Sequence, residues 1–275
     1  MCTTYRTVTA VFAILAAATT SADAQDWSGA YLATYGGALL DPDDSRDSVL
    51  FDTNLDGRFG DAVNTAAGAN AFSPGFCDGA ANARTPASGC RGNGSGGDYG
   101  LRGGYDWQSG GVVFGVLLEY GQADFRDAMS AFSTTPAFYT LLRKTDDVLA
   151  LRGRVGFVFG DGANLLYGTA GYARANVDNY FSTSNAVNSF VNNGSSDADG
   201  YQLGLGYERR FGEQWSLGVE YLHSRLDDED FRVRAQGPAP ATNPFILTNA
   251  AGTDFRRSDD EIKLDSFRIT ANWRF

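Results

Sequence analysis

The chain has 275 residues and a formal net charge of −11, with 33 Asp and Glu against 22 Lys and Arg. That acidity excludes nucleic acid as a partner, because phosphate recognition needs a basic face. The composition (34 Gly, 19 Phe and 13 Tyr) also excludes a helical membrane protein. Beyond the N-terminal segment, Gly or charge breaks each apolar stretch within about ten residues, where a spanning helix needs about 20.

Residues 1–24 read as a cleaved signal peptide. Arg6 precedes an uncharged apolar run, Val8 to Ala18, and Ala22-Asp23-Ala24 is a small-x-small cleavage site that leaves Gln25 as the new N-terminus. The rest, 25–275, reads as one domain built of strand-like runs with period two.

The first run, Trp27 to Leu40, is rich in Gly and Tyr, and its phase is open. A long polar segment, 41–97, follows. It holds Cys77 and Cys90, expected to pair as a disulfide because exported chains meet an oxidising compartment. In Asp98 to Gln108, Tyr99, Leu101, Tyr105 and Trp107 alternate with Gly100, Arg102, Gly104 and Asp106. Val112 to Phe125 sets Glu119 against Phe114, Val116, Leu118 and Tyr120. Val148 to Phe159 sets Arg152 and Arg154 against Leu149, Leu151, Val155 and Phe157. Asn164 to Val177 carries Arg174. Asp199 to Phe211 alternates Tyr201, Leu203, Leu205 and Tyr207 with Gln202, Gly204, Gly206, Glu208 and Arg210. Trp215 to Leu226 carries Glu220, and the last run sets Phe267, Ile269, Trp273 and Phe275 against Arg268, Thr270 and Arg274.

A half-buried strand of a soluble sandwich alternates in the same way. The connections separate the two cases. Ser109 to Gly111, Gly160 to Gly162 and Gly212 to Gln214 are tight turns, while 41–97, 126–145, 178–198 and 227–261 are long and polar. Strict alternation of short and long connections marks a membrane barrel, with short periplasmic turns and long extracellular loops. Lipid cannot satisfy an open sheet edge, so the sheet must close. The fold expected is all-β: an eight-stranded antiparallel up-and-down transmembrane β-barrel. Trp27, Trp107, Tyr167, Trp215 and Trp273 are expected in its interfacial aromatic girdles.

Three stretches resemble the OmpA-like and opacity-type small outer-membrane barrels of Gram-negative bacteria, often labelled the porin family. Trp27-Ser28-Gly29-Ala30-Tyr31-Leu32 is similar to that family's opening strand, Trp215 to Leu222 to its penultimate strand with an inward carboxylate at Glu220, and Ser266 to Phe275 to its closing strand. The resemblance implies location in the cell outer membrane, contact with outer-membrane lipid and lipopolysaccharide, and recognition of the terminal Phe275 by the barrel-assembly machinery. The segment 41–97 is longer than is usual for the family, and the family's peptidoglycan-binding domain has no counterpart here.

Arg102, Arg152, Arg154, Arg174, Arg210, Arg268 and Arg274 are expected to face the lumen with Asp106, Glu119, Glu208 and Glu220. An eight-stranded lumen is narrow enough for side chains to fill. An ion-pair plug therefore outweighs an anion-selective gate, and a structural or surface-interaction role through the loops, with a surface ligand as partner, outweighs a narrow passive channel. A lipid-modifying enzyme is disfavoured: His223 and Ser224 are adjacent in a strand and point to opposite faces. No catalytic residue, cofactor or metal is assigned. The acidic runs Asp41 to Asp44 and Asp227 to Asp230 lack the spacing and Gly of an EF-hand loop.

Overall fold

The computed structural model describes residues 26–40, 47–228 and 231–275. The signal segment with its cleavage site, the acidic run Asp41 to Asp44, and Glu229 and Asp230 lie outside the described residues. Eight long strands dominate: β1 (Gly29–Leu40), β2 (Gly94–Ser109), β3 (Val112–Ser133), β4 (Ala137–Phe159), β5 (Asn164–Thr183), β6 (Ser196–Phe211), β7 (Trp215–Asp227) and β8 (Glu261–Arg274). Each pairs antiparallel with its neighbours in sequence, and β8 pairs back onto β1 from Tyr31↔Arg274 to Leu40↔Asp265. The sheet is a closed ring without an edge, as lipid demands.

The three tight turns expected from the sequence lie at one end, and each turns on a glycine with positive φ: Gly110 (59°), Gly160 (53°) and Gly212 (74°). An L side chain at these positions would strain the hairpin. The segment 126–145, expected as a long loop, is instead strand on both sides of a three-residue turn, 134–136, at the other end. The outer wall is apolar on every strand. Leu32, Leu101, Leu118, Leu151, Leu166, Leu205, Leu217 and Ile269 are all exposed there. Such a surface suits hydrocarbon and would be an aggregation hazard in water. Tyr99, Tyr120, Tyr172, Tyr201 and Tyr221 fringe its outer margin, while Trp107, Trp215, Trp273 and Phe275 fringe the periplasmic one. These are the two girdles of a membrane barrel.

Trp27 and Tyr167 are not among them. Both point inward and are buried. Trp27 lies across the periplasmic end of the lumen, where its indole Nε1 donates to the carbonyl of Gly162 at 2.8 Å. The strand phases explain the correction: β1 turns Tyr31, Ala33 and Tyr35 inward, and β5 turns Leu165, Tyr167 and Thr169 inward.

At the other end β3 and β4, of 22 and 23 residues, outrun the 12 of β1. At about 3.3 Å per residue the excess carries their hairpin roughly 30 Å beyond the wall. Register shifts at Ser95/Asp98, Gln122/Phe125 and Thr145/Val148 mark the rim where wall becomes projection, and bulges there let the sheet bend as it leaves the ring. The long segments fold against this hairpin. Gly75–Asp78 extends β3 as an added strand, next to the Cys77–Cys90 disulfide. Ser189–Asn192, Val233–Gln236, Thr253–Arg257 and Val49–Asp52 form a separate antiparallel sheet drawn from three different loops. Between the two lies an apolar core that includes Phe51, Phe72, Met129, Tyr139, Leu141, Phe231, Phe245 and Phe255. The loops are one folded cap with a hydrophobic centre, and not separate polar excursions.

Candidate functional site: the lumen and the cap

The lumen is filled in layers. At the periplasmic end Trp27, Val113, Leu165 and Tyr167 pack together. Arg210 lies against them, its guanidinium 5.4 Å from the Trp27 ring and donating to the carbonyls of Asp26 and Glu213. Above lie the buried charges in two neutral groups. In the lower, Arg154 grips both oxygens of Asp106 (3.0 and 2.5 Å) and one of Glu208 (3.0 Å), while Arg274 donates to Asp106 at 2.6 Å. In the upper, Arg102 donates to Glu119 and Glu220 at 2.9 and 2.7 Å, and Arg152 to the same two at 2.5 and 3.2 Å. Arg268 joins Asp98 to Glu119 at 2.5 and 2.6 Å. Tyr167 Oη, donating to Glu220 at 3.0 Å, lies between the groups.

Five arginines face five carboxylates in these groups, so the ion layer carries no net charge. Moving an ion out of water costs several kcal/mol, and only a multiply bonded, balanced arrangement offsets that. Glycines make the room. A Cβ at Gly115 would fall 2.0 Å from Asp106 Oδ1, and one at Gly171 would strike the Leu151 carbonyl at the same distance. Above the ions Leu39, Phe125, Val148, Val177, Leu226, Ile262 and Leu264 form an apolar layer that ends the lumen below the cap.

Of the residues expected in the lumen, the structure brings together Arg102, Asp106, Glu119, Arg152, Arg154, Glu208, Glu220, Arg268 and Arg274, with Arg210 at the periplasmic mouth. Arg174 does not join them. It projects from the outer face of β5 and pairs with Asp197, both about half exposed. The inward phase of β5 belongs to Ala173 and Ala175, which leaves Arg174 above the apolar band. Asp98 was missed as a lumen residue. Its signal was present, since it lies four residues before Arg102 on the same alternating face.

A second buried ion cluster ties cap to barrel. Arg257, in the cap sheet, donates to Asp47 at 2.7 Å and lies 2.7 Å from Asp127 on β3, which also accepts from Arg143 on β4 at 2.8 Å. Asn93 donates to Asp127 at 2.9 Å. Burial opposes ionisation of Asp127, but Arg257 and Arg143 outweigh it and hold the carboxyl below the usual carboxylate range.

His223 and Ser224 diverge. The imidazole Nδ1 lies on the outer face, 2.9 Å from Asp265, while Ser224 Oγ faces inward and accepts from Gln202 at 3.0 Å. In the cap, Asp52, Asn54, Asp56 and Gly57 have the spacing that opens a calcium loop. The twelfth position, however, is Val63, buried in the cap core where such a loop needs a bidentate Glu. Asp61 is taken by the Thr53 amide and hydroxyl, both at 2.9 Å.

A closed eight-stranded ring with an apolar exterior, a polar interior and aromatic girdles defines an outer-membrane barrel. The sequence matches the family described as outer membrane protein beta-barrel domain over residues 8–275, and the chain belongs to that family. Its place is therefore the outer membrane. Among solved structures it is similar to Ail, the attachment invasion locus protein of Yersinia pestis, solved in complex with the heparin analogue sucrose octasulfate (11% identity, 90% of this chain and 99% of that one, TM-score 0.36). It is also similar to Neisserial surface protein A (9% identity, 90% and 98%, TM-score 0.33) and to AlkL in lipid bilayers (13% identity, 96% and 97%, TM-score 0.31). Among curated proteins no sequence matches significantly.

Proposed function

We propose that this protein is a plugged barrel whose function lies in its cap: the wall anchors the molecule in the outer membrane, and the four loops present one recognition surface to the outside. The observation that carries this reading is the neutral ion layer, packed between apolar layers below and above. A folded scaffold holding converging loops is a common platform for recognition. The reading is non-enzymatic, and the divergence of His223 and Ser224 supports it.

A narrow passive channel is the alternative. It would need an unpaired or movable charge along the lumen, whereas each arginine of the layer has a carboxylate partner. The test is single-channel recording on the chain from Gln25 to Phe275 refolded into planar bilayers. We expect a folded, silent barrel, and steady reproducible steps would hand the function to the channel. Export through residues 1–24, and assembly by the barrel-assembly machinery through the closing strand, belong to the same proposal. Phe275, exposed on the outer wall, is available for such reading.

A further inference from the structure

At the outermost end of the cap lies a cavity of about 300 Å³. It is built by all four extracellular loops. The first gives Phe72 and Arg84, the β3–β4 hairpin gives Pro136 and Tyr139, the third gives Ala186, and the fourth gives Phe245. Phe72, Tyr139 and Phe245 form the floor. Their centroids are 5.3 to 5.8 Å apart in tilted and edge-on contacts, which fixes the floor as part of the cap core.

The charge around this cavity is unlike that of the rest of the molecule. In a chain of net charge −11 its lining holds no Asp or Glu and one cation, Arg84. Of the remaining polar side chains, Thr134 and Thr135 are exposed, and the others are already engaged. Asn185 donates to Tyr139 Oη at 3.0 Å, Asn243 exchanges bonds with Asn188, and Ser133 Oγ donates to the Thr135 carbonyl. What the cavity offers a visitor is therefore an apolar floor, two exposed threonine hydroxyls and a single charge, the Arg84 guanidinium at the rim. The guanidinium fork is matched by a carboxylate.

We propose that this cavity binds a compact apolar carboxylate, its hydrocarbon or aromatic body against Phe72, Tyr139 and Phe245 and its carboxylate on Arg84. The proposal rests on the reading of the cap as the recognition surface and supplies the chemistry of what it recognises. Because four sequence-distant loops must fold to make the cavity, occupancy also stabilises the cap by mass action.

The test uses the whole barrel in detergent and a ring-fluorinated phenylpropionate followed by fluorine NMR, with the matching amide as uncharged twin. Saturable binding is expected. It should weaken about tenfold for the amide and for Arg84→Ala, the worth of one charge-assisted hydrogen bond. It should be lost in Ala186→Trp, which fills the cavity from an exposed position. Heat-dependent gel mobility checks that the barrel is folded in both variants, and the thermal melting of the cap aromatic signals checks that the cap is folded. Absence of saturable binding, equal affinity for the amide or for Arg84→Ala, or unchanged binding in Ala186→Trp would overturn the proposal. Conductance does not enter this readout. Failure here leaves the plugged lumen standing, and channel steps would not alter the binding result.

Discussion

The barrel and its cap face the same task, filling an interior enclosed by strands, and they solve it with opposite chemistry. In the barrel the apolar side chains are spent on the outer wall, so the alternate positions carry Arg, Glu, Asp and Gly. The cap stands in water, and its interior is a cluster of Phe, Tyr, Leu and Val. The same period of two serves both, with the faces exchanged: in β3 the outward series changes from Phe114, Val116 and Leu118 to Gln122, Asp124 and Arg126 at the rim. The solvent outside each region decides what its inside can be.

The largest effect that separates the two cores is expected in the ion layer. Replacing Arg154 by Ala leaves Asp106 and Glu208 each short of a buried partner and should destabilise the barrel by about 3–5 kcal/mol. Urea unfolding from lipid vesicles measures it, and a change under 1 kcal/mol would show that water reaches these groups freely. In the cap, Phe255→Ala should cost about 3–4 kcal/mol of cap stability through the cavity it leaves. The barrel should stay resistant to unfolding in cold detergent. Joint unfolding of the two regions would show that they are not separate cores.

The disulfide acts more locally. Cys77→Ala with Cys90→Ala removes a bridge of sequence separation 13, and by loop entropy the cap should lose up to about 3 kcal/mol. Thermal melting of cap aromatic signals reports it, with the barrel transition unmoved. The smallest effect is the pH dependence of the tie at Asp127. Its carboxyl is held below the ordinary value, so its contribution is fully present above about pH 4. It is lost as pH falls through the lowered folded value. Cap melting followed from neutral pH downward should show this decline in the parent chain and a weaker one in Asp127→Asn.

Much of the barrel was legible because lipid imposes a strict rule. Alternation in Asp199 to Phe211 and in Phe267 to Phe275 reads directly as wall and lumen, and the paired charges follow from it. The phase of the first and fifth runs was not legible, since Gly, Ala and Tyr suit either face. That ambiguity put Arg174 in the lumen and Trp27 and Tyr167 in the girdles. The cap was missed for a different reason. Its segments are polar on average, but Phe51, Phe72, Phe181, Phe190, Phe231, Phe245 and Phe255 are scattered through them and converge only when the loops fold. So many aromatic residues in segments read as solvated loops were the available signal. Their mutual packing is long-range and leaves no local period. The cavity holding Arg84 is legible only in three dimensions.

The central claim is that the ion layer closes the lumen and the cap is not its gate. The direct measurement is single-channel recording on Phe255→Ala at a temperature where its cap aromatic signals have melted and its barrel is intact. The account predicts the same silence as in the parent chain. Steady conductance steps that appear when the cap melts would contradict it, because they would show an open lumen beneath.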